Sequence, residues 1–357
     1  MKKTAVYLLL FLLIIELILP GVVPLKSAYD SRMNYTVVKD NPANIDVVLD
    51  QIKHQIDSQN IKDYVIILGD SVAHSGPGPA DESIGARLQE YYLLAGQKKA
   101  VFNLAMPAMQ TGDIYTMILK LDEHGISTEN LIINLIYAGF VERNPDPPVV
   151  FWLQKDLARL DPASYEQVTP QLTANGKIAR EGPTQKLNRL ITERLAIFRY
   201  KDFIKADLQH RFYELTDRQE ENALGDPRPW YQKEGLQKLL ASPEYQRGFA
   251  VKPFDMSQGN PQIFFLEKII KHQQGKKTLV FMAPVNYELV PQVHDAGYQS
   301  NLQTVKDYFA VRQVAYIDFH GLVDQRLFSD HVHLIGPGYS LMAQRLGEES
   351  LAGENQL

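Results

Sequence analysis

The sequence predicts an α/β fold, a three-layer α/β/α sandwich on a central parallel sheet with a helical insertion. Five short apolar runs bounded by turn residues are spread along the chain, as buried parallel strands are. Segments of helical spacing fall between them, and alternating strands and helices build a sheet covered on both faces. Between the third and fourth runs, residues 145–260 are rich in charge, proline and aromatics and carry no strong strand pattern.

Taken in order, "YVIILGD" (64–70) is the first strand and "DESIGARLQEYYLLAG" (81–96) the helix after it, stopped by Gly96. "AVFNLAMP" (100–107) is the second strand, and "TGDIYTMILKLDEHG" (111–125) is a helix ending at Gly125. "NLIINLIYAGF" (130–140) is the third strand. The insertion then offers helical stretches such as 184–215 and an irregular loop at 226–235. "KKTLVFMAPVN" (276–286) is the fourth strand, 301–313 a helix, "VAYIDFHG" (314–321) the fifth strand, and 336–351 the closing helix. An insertion placed after the third strand starts from the C-terminal edge of the sheet, where α/β active sites lie. There is no internal repeat and no low-complexity tract.

The chain has 357 residues, with 37 Lys and Arg against 42 Asp and Glu, a formal charge of −5. No basic excess is present to neutralise phosphates, which argues against nucleic acid as a partner. No cysteine occurs, which excludes disulfides, thiol catalysis and cysteine-based zinc sites. At the N-terminus Lys2 and Lys3 precede an apolar run from Ala5 to Leu19, broken by Glu16 and ended by Pro20 and Gly21. A bilayer core takes about 20 helical residues, so the run suits an anchor or a signal segment. Lys26 occupies the upstream small-residue position of a cut after Ala28, which disfavours cleavage. Residues 1–27 are therefore expected to be a membrane anchor with the lysines inside the cell. The body, 28–357, would lie on the extracytoplasmic face; release by signal cleavage is the alternative.

Ser71 follows Gly69 and Asp70 at the end of the first strand. Alone it reads as a turn serine that caps the next segment. A nucleophile needs a base, and "SDHVH" (329–333) offers one. Asp330 and His333 stand three apart just before the last helix, where a carboxylate can fix an imidazole tautomer and stabilise the imidazolium formed on taking a serine proton. His331 is the rival base within the same motif, but the residue next to Asp330 points elsewhere. His74, three after Ser71, is expected to line the pocket or face solvent. "HVH" lacks a third ligand of recognisable spacing, so no metal is expected, and nothing calls for a cofactor. Trp152, Trp230 and Tyr231 read first as packing residues and second as sugar-stacking ones.

"GDSV" followed far downstream by "DHVH" resembles the SGNH, or GDSL-type, hydrolase superfamily over residues 64–140 and 276–350. The resemblance implies a flavodoxin-like sandwich with Ser71 as nucleophile, His333 as general base, Asp330 as its orienter and Asp70 as a structural residue. It also implies an oxyanion hole built on the N–H groups of Ser71 and of Ala108, the latter at a position the family fills with glycine. The family's third block supplies an asparagine; here Ala138 stands near that place and Asn134 lies four residues early. Tyr137, Asn144 and Asn286 are the candidate replacements. The anchor and the altered middle blocks look more like the membrane-anchored branch, similar to DltD-like and alginate-acetylation-like proteins. Those work with a multispanning membrane O-acyltransferase on cell-surface polymers. Two functions follow as expectations: an anchored serine esterase or O-acyltransferase acting on acyl, foremost acetyl, esters of glycans, or a non-catalytic scaffold that assists such an acyltransferase.

Overall fold

The computed structural model describes residues 2–22, 25–142, 147–174, 176, 195–216 and 224–352. Its five strands are β1 (Tyr64–Leu68), β2 (Ala100–Asn103), β3 (Asn130–Leu135), β4 (Lys277–Met282) and β5 (Ala315–Asp318). They form one sheet in the order β2-β1-β3-β4-β5. Every pair is parallel, with Ile66 opposite both Phe102 and Leu131, and Phe281 opposite both Asn134 and Ile317. This is the sandwich the sequence predicts. The strands are shorter than the apolar runs because each run continues past the sheet edge into a buried loop. The strand order reverses at β1 and β3, which opens a crevice at their C-terminal ends.

Side chains alternate across the sheet. Val65, Ile67, Val101, Ile132, Leu279 and Phe281 enter one core with residues of the helices Ile84–Leu94 and Gly336–Ala352. Ile66, Leu68, Phe102, Ile133, Val280 and Met282 enter the other, with residues of Asn44–Ser58, Thr111–Glu123, Pro261–His272 and Ala296–Val311. Burial of each large aliphatic or aromatic side chain contributes about 1.5–3 kcal/mol, so these two cores hold the layers together.

Ionic contacts tie one flank together. The Lys120 side chain is buried and reaches Asp46 at 2.5 Å and Asp156 at 2.8 Å. His124 bonds Asp46 at 3.0 Å and Asp50 at 2.9 Å, and Asp50 also meets Arg199. The cluster joins Asn44–Ser58, Thr111–Glu123, Gln154–Leu160 and Ala196–Arg199.

Within 145–260 the described helices up to Thr216 separate into two groups. Gln154–Leu160 packs on Thr111–Glu123, and Pro162–Ala174 packs on Gln154–Leu160. Ala196–Arg199 meets the N-terminal helix, and Lys201–Thr216 meets Tyr35–Asp40. The stretch expected to be helical at 184–215 is helical at Ala196–Arg199 and from Lys201, with 184–194 outside the described residues. From Leu224 onward the chain returns to the sheet's C-terminal edge. Lys2–Val22 is a helix of 21 residues whose Phe11, Leu13 and Leu17 are exposed, and Glu16 accepts a hydrogen bond from the Ala196 N–H at 2.6 Å. Among the described residues no helix is long and apolar enough to cross a membrane.

Candidate active site

β1 ends at Leu68, and Gly69 follows at φ +154°. A Cβ on Gly69 would lie 2.4 Å from the Asn134 Cβ, so only glycine fits between the first and third strands. The Asp70 carboxylate accepts from the Val72 N–H at 2.9 Å and caps the turn Ser71–His74. Asp70 is buried, and burial pushes its carboxyl up to about 6. It holds the turn and makes no contact with the His333 ring nitrogens, which bond elsewhere. Ser71 thereby becomes the first residue of a helical turn, where a backbone N–H has no helical acceptor.

The second half of the site is the turn before Gly336–Ala352. Phe328 and Leu334 bridge its ends, and the Ser329 N–H donates to the His333 carbonyl at 2.8 Å. One Asp330 oxygen, Oδ1, accepts from the N–H groups of Val332 (2.9 Å) and His333 (2.8 Å). The other, Oδ2, accepts from His333 Nδ1 at 2.7 Å, and His333 Nε2 stands 2.8 Å from Ser71 Oγ. An ionised carboxylate only accepts, so Nδ1 carries the proton and Nε2 accepts from the serine hydroxyl.

Burial opposes both charges of this pair, yet attraction prevails. It raises the Asp330 carboxyl and lowers the His333 imidazole, but the mutual charge and hydrogen bond hold Asp330 well below the usual carboxylate range. The same contact, with the Asp70 charge, raises His333 above its ordinary value. Lys233 adds a small opposing charge from the returning segment.

Ala108 lies on the loop after β2, exposed, at φ +62°. A left-handed alanine costs about 1–2 kcal/mol, and the conformation is the one glycine would adopt. The loop is held against the Ser71 turn. Asn103 Nδ2 donates to the Ala73 carbonyl at 2.7 Å, its Oδ1 accepts from the Ala105 N–H at 3.1 Å, and Met106 N–H donates to Gly69 at 3.0 Å. Trp152 donates its indole N–H to the Pro107 carbonyl at 2.9 Å. Trp230 does the same to Gln325 at 2.9 Å, and its backbone N–H reaches the Phe328 carbonyl at 3.1 Å. Both tryptophans are thus partly buried packing residues pinned beside the site, while Tyr231 is 55% exposed.

The candidate third oxyanion donors are not brought to Ser71 by their hydrogen bonds. Tyr137 is buried; its hydroxyl donates to the Ala250 carbonyl at 2.9 Å and accepts from Asn301 at 2.8 Å. Asn286 is buried, its Oδ1 taken by the Glu288 N–H at 3.0 Å and its Nδ2 turned to the Gln325 carbonyl at 3.5 Å. Asn144 lies outside the described residues. Asn134 is in β3 and braces the Asp70 N–H at 3.3 Å. His74 neither lines an open pocket nor faces solvent: it is 1% exposed and gives its Nδ1–H to the Ala105 carbonyl at 3.0 Å. Burial lowers its imidazole to about 3, so it stays neutral and structural. His331 packs edge-on to Tyr245 and Phe249 of the returning segment, away from Ser71.

Arg32 has a role its sequence context did not reveal. Its guanidinium donates to the carbonyls of His74 (3.0 Å), Ser75 (2.8 Å) and Gly78 (2.8 Å), clamping the loop after Ser71. Asn103 is a second such brace. Both act on backbone carbonyls, which leave no mark in a one-dimensional motif. Among the described residues no group of three or more histidines, aspartates or glutamates is placed to hold a metal ion.

No protein-family model matches the chain, and no curated protein matches it. Among solved structures, a member of the lipolytic protein G-D-S-L family from Veillonella parvula is similar at 12% identity with a TM-score of 0.34, over 82% of this chain and 99% of that one.

Proposed function

We propose that this chain is an anchored extracytoplasmic serine esterase or O-acyltransferase acting on acyl esters, foremost acetyl esters, of a glycan. The observation that carries the reading is the unbroken hydrogen-bond line from Asp330 through His333 to Ser71 Oγ, at 2.7 and 2.8 Å. His333 Nε2 takes the Ser71 proton as Oγ bonds to the acyl carbon, and the carbonyl electron pair moves onto its oxygen. The N–H groups of Ser71 and Ala108 receive that oxyanion. Collapse breaks the ester bond, and the leaving alcohol takes the proton from His333. Water or a glycan hydroxyl then gives its proton to His333 as it attacks the acyl carbon, and Ser71 Oγ departs, taking that proton back from His333.

The site supplies two backbone donors, and each missing donor costs about 10²–10³ in rate. The exposed apolar side chains of Phe11, Leu13 and Leu17 behind Lys2 and Lys3 support the anchor. Exposed Tyr231, beside the pinned Trp230, supports an acceptor with sugar faces over a bare lipid. Ala138, standing where a third donor would be, favours the second reading, a scaffold that assists a multispanning membrane acyltransferase. A fluorophosphonate probe separates the two. Labelling of the wild-type chain and its loss in Ser71→Ala is the expected result; a folded wild-type chain that takes no label leaves the scaffold. Protease added outside intact cells should reach the body while the chain stays in the membrane fraction, and a mature form beginning near Tyr29 in the medium would overturn the anchor.

A further inference from the structure

We infer that the cavity beside β5 is a second binding site, one that takes a sugar unit of a polyhydroxylated chain; it rests on the glycan reading above. The cavity has a volume of about 390 Å³ and lies between the edge strand β5 and the helix Ala296–Val311. That falls in the usual ligand-pocket range of ~300–1,000 Å³. Tyr287, Gln303, Lys306, Tyr316 and Asp318 line it.

Two of its lining residues carry an unpaired polar atom. Among the described residues the Tyr316 hydroxyl is buried with no hydrogen-bond partner, and an unmatched buried hydroxyl costs about 1–3 kcal/mol. Asp318 is fixed from behind: its Oδ1 accepts from the His320 backbone N–H at 3.0 Å and from His320 Nδ1 at 2.7 Å. His320 Nε2 in turn shares a hydrogen bond with the Tyr298 hydroxyl at 2.9 Å, so the Asp318 carboxylate is held in place through His320. The Asp318 side chain is 26% exposed, and no hydrogen bond among the described residues reaches Oδ2.

A carboxylate, a phenol, an amide and an ammonium around tyrosine rings suit a polyol ring. Hydroxyls donate to the carboxylate and accept from the lysine, while C–H faces lie on the aromatics. An alkyl chain would bury Asp318 and Tyr316 without partners. The position fits a polymer. β5 stands three strand spacings from β1, about 14 Å along the sheet, and both Asp318 and Ser71 lie at C-terminal ends. The loop bearing Tyr287 also touches the catalytic turn, through the Asn286 N–H to the His331 carbonyl at 2.9 Å. A glycan whose ester sits at Ser71 can thus place another unit in the cavity.

The test is calorimetric titration of the full-length Ser71→Ala chain, in detergent, with cellotetraose, chitotetraose and tetragalacturonate. At least one should bind, and Tyr316→Phe and the surface pair Gln303→Ala with Lys306→Ala should each weaken it about tenfold, the scale of one or two lost hydrogen bonds. In chains that keep Ser71, the same changes should leave hydrolysis of a small acetyl ester unaltered. Failure of all three sugars to bind, or binding indifferent to both variants, overturns the proposal. Sugar binding that responds to the variants in a chain with no esterase activity would sink the catalytic reading and leave the cavity site standing.

Discussion

His333 and His124 are both partly buried histidines held by aspartates, and they behave in opposite ways. His124 has a carboxylate on each nitrogen, Asp50 on Nδ1 and Asp46 on Nε2. Both nitrogens must donate, so the ring is an imidazolium. Burial lowers it, but the two carboxylates outweigh that and lift it to about 9. His333 has a carboxylate on Nδ1 only, and its Nε2 faces a hydroxyl that has a proton to give. One carboxylate orients a base; two make a fixed cation. The partner on the second nitrogen, more than burial or the presence of aspartate, separates a histidine placed to take a proton from one fixed as a cation.

The contrast is broken most severely at Ser71. Ser71→Ala and His333→Ala should each lower kcat on a small acetyl ester by roughly 10⁶, and the double variant should be little worse, because the groups act as a unit. Near-wild-type turnover by a folded Ser71→Ala chain would remove the nucleophile assignment.

Asp330→Asn should cost about 10⁴ or less, since the amide holds the ring in a less productive tautomer. It also tests the electrostatics. His333 must be neutral to act, and its folded value lies above 6.5. Activity of the wild type should therefore fall as pH drops through a midpoint above 6.5, and in Asp330→Asn that midpoint should move down. A kcat/KM profile of both chains decides it; an unmoved acid limb would mean that another group titrates.

At His124 the expected effect is on stability alone. Its folded value is raised, so its contribution is complete below about 6.5 and is lost as pH rises through about 9. Asp46 and Asp50 are partly open to solvent, which limits the contribution to the order of 1–2 kcal/mol. His124→Gln should lower the denaturation midpoint at pH 6 and flatten its decline between pH 6.5 and 9, with esterase activity intact. A parallel decline in wild type and variant would contradict this.

Ala108→Gly should change least. The backbone N–H survives, so kcat should stay within about threefold. Relief of left-handed strain and the greater freedom of the unfolded chain should leave stability within about 1 kcal/mol. A large loss of activity would show that the alanine methyl, and not its N–H, matters to the site.

The strands, the Ser71 turn and the Asp330–His333 turn are legible in the sequence because each is a local pattern: an apolar run closed by turn residues, or residues three apart. Asn44–Ser58 carries a local pattern of the same kind; Ile45, Val48, Leu49, Ile52 and Ile56 recur at helical spacing and are all buried. The candidate oxyanion donors could not be sorted from sequence. What occupies Tyr137 is Ala250 and Asn301, and what occupies Asn286 is Gln325, all distant along the chain. The same holds for His74, whose neighbourhood in sequence is polar and whose neighbourhood in space is closed. The span 145–260 read as one helical unit because its composition is uniform. Its described parts take three places: Gln154–Leu160 flanks Thr111–Glu123, Ala196–Arg199 meets the N-terminal helix, and the segment from Leu224 returns beside the Asp330–His333 turn; Lys120 and Asp50, the ionic partners of the first two, lie outside the span.

The chain contains two tryptophans, and the fold has put each indole to the same use. Trp152 holds the carbonyl of Pro107, next to Ala108, and Trp230 holds that of Gln325, ahead of Asp330. Intrinsic fluorescence of this protein is therefore a two-channel optical reporter of the Ser71 site. In Trp230→Phe the remaining emission follows the loop after β2, and in Trp152→Phe it follows the Asp330–His333 turn. The acylation of Ser71 proposed above should then be visible from either side in a stopped-flow trace, without an attached dye.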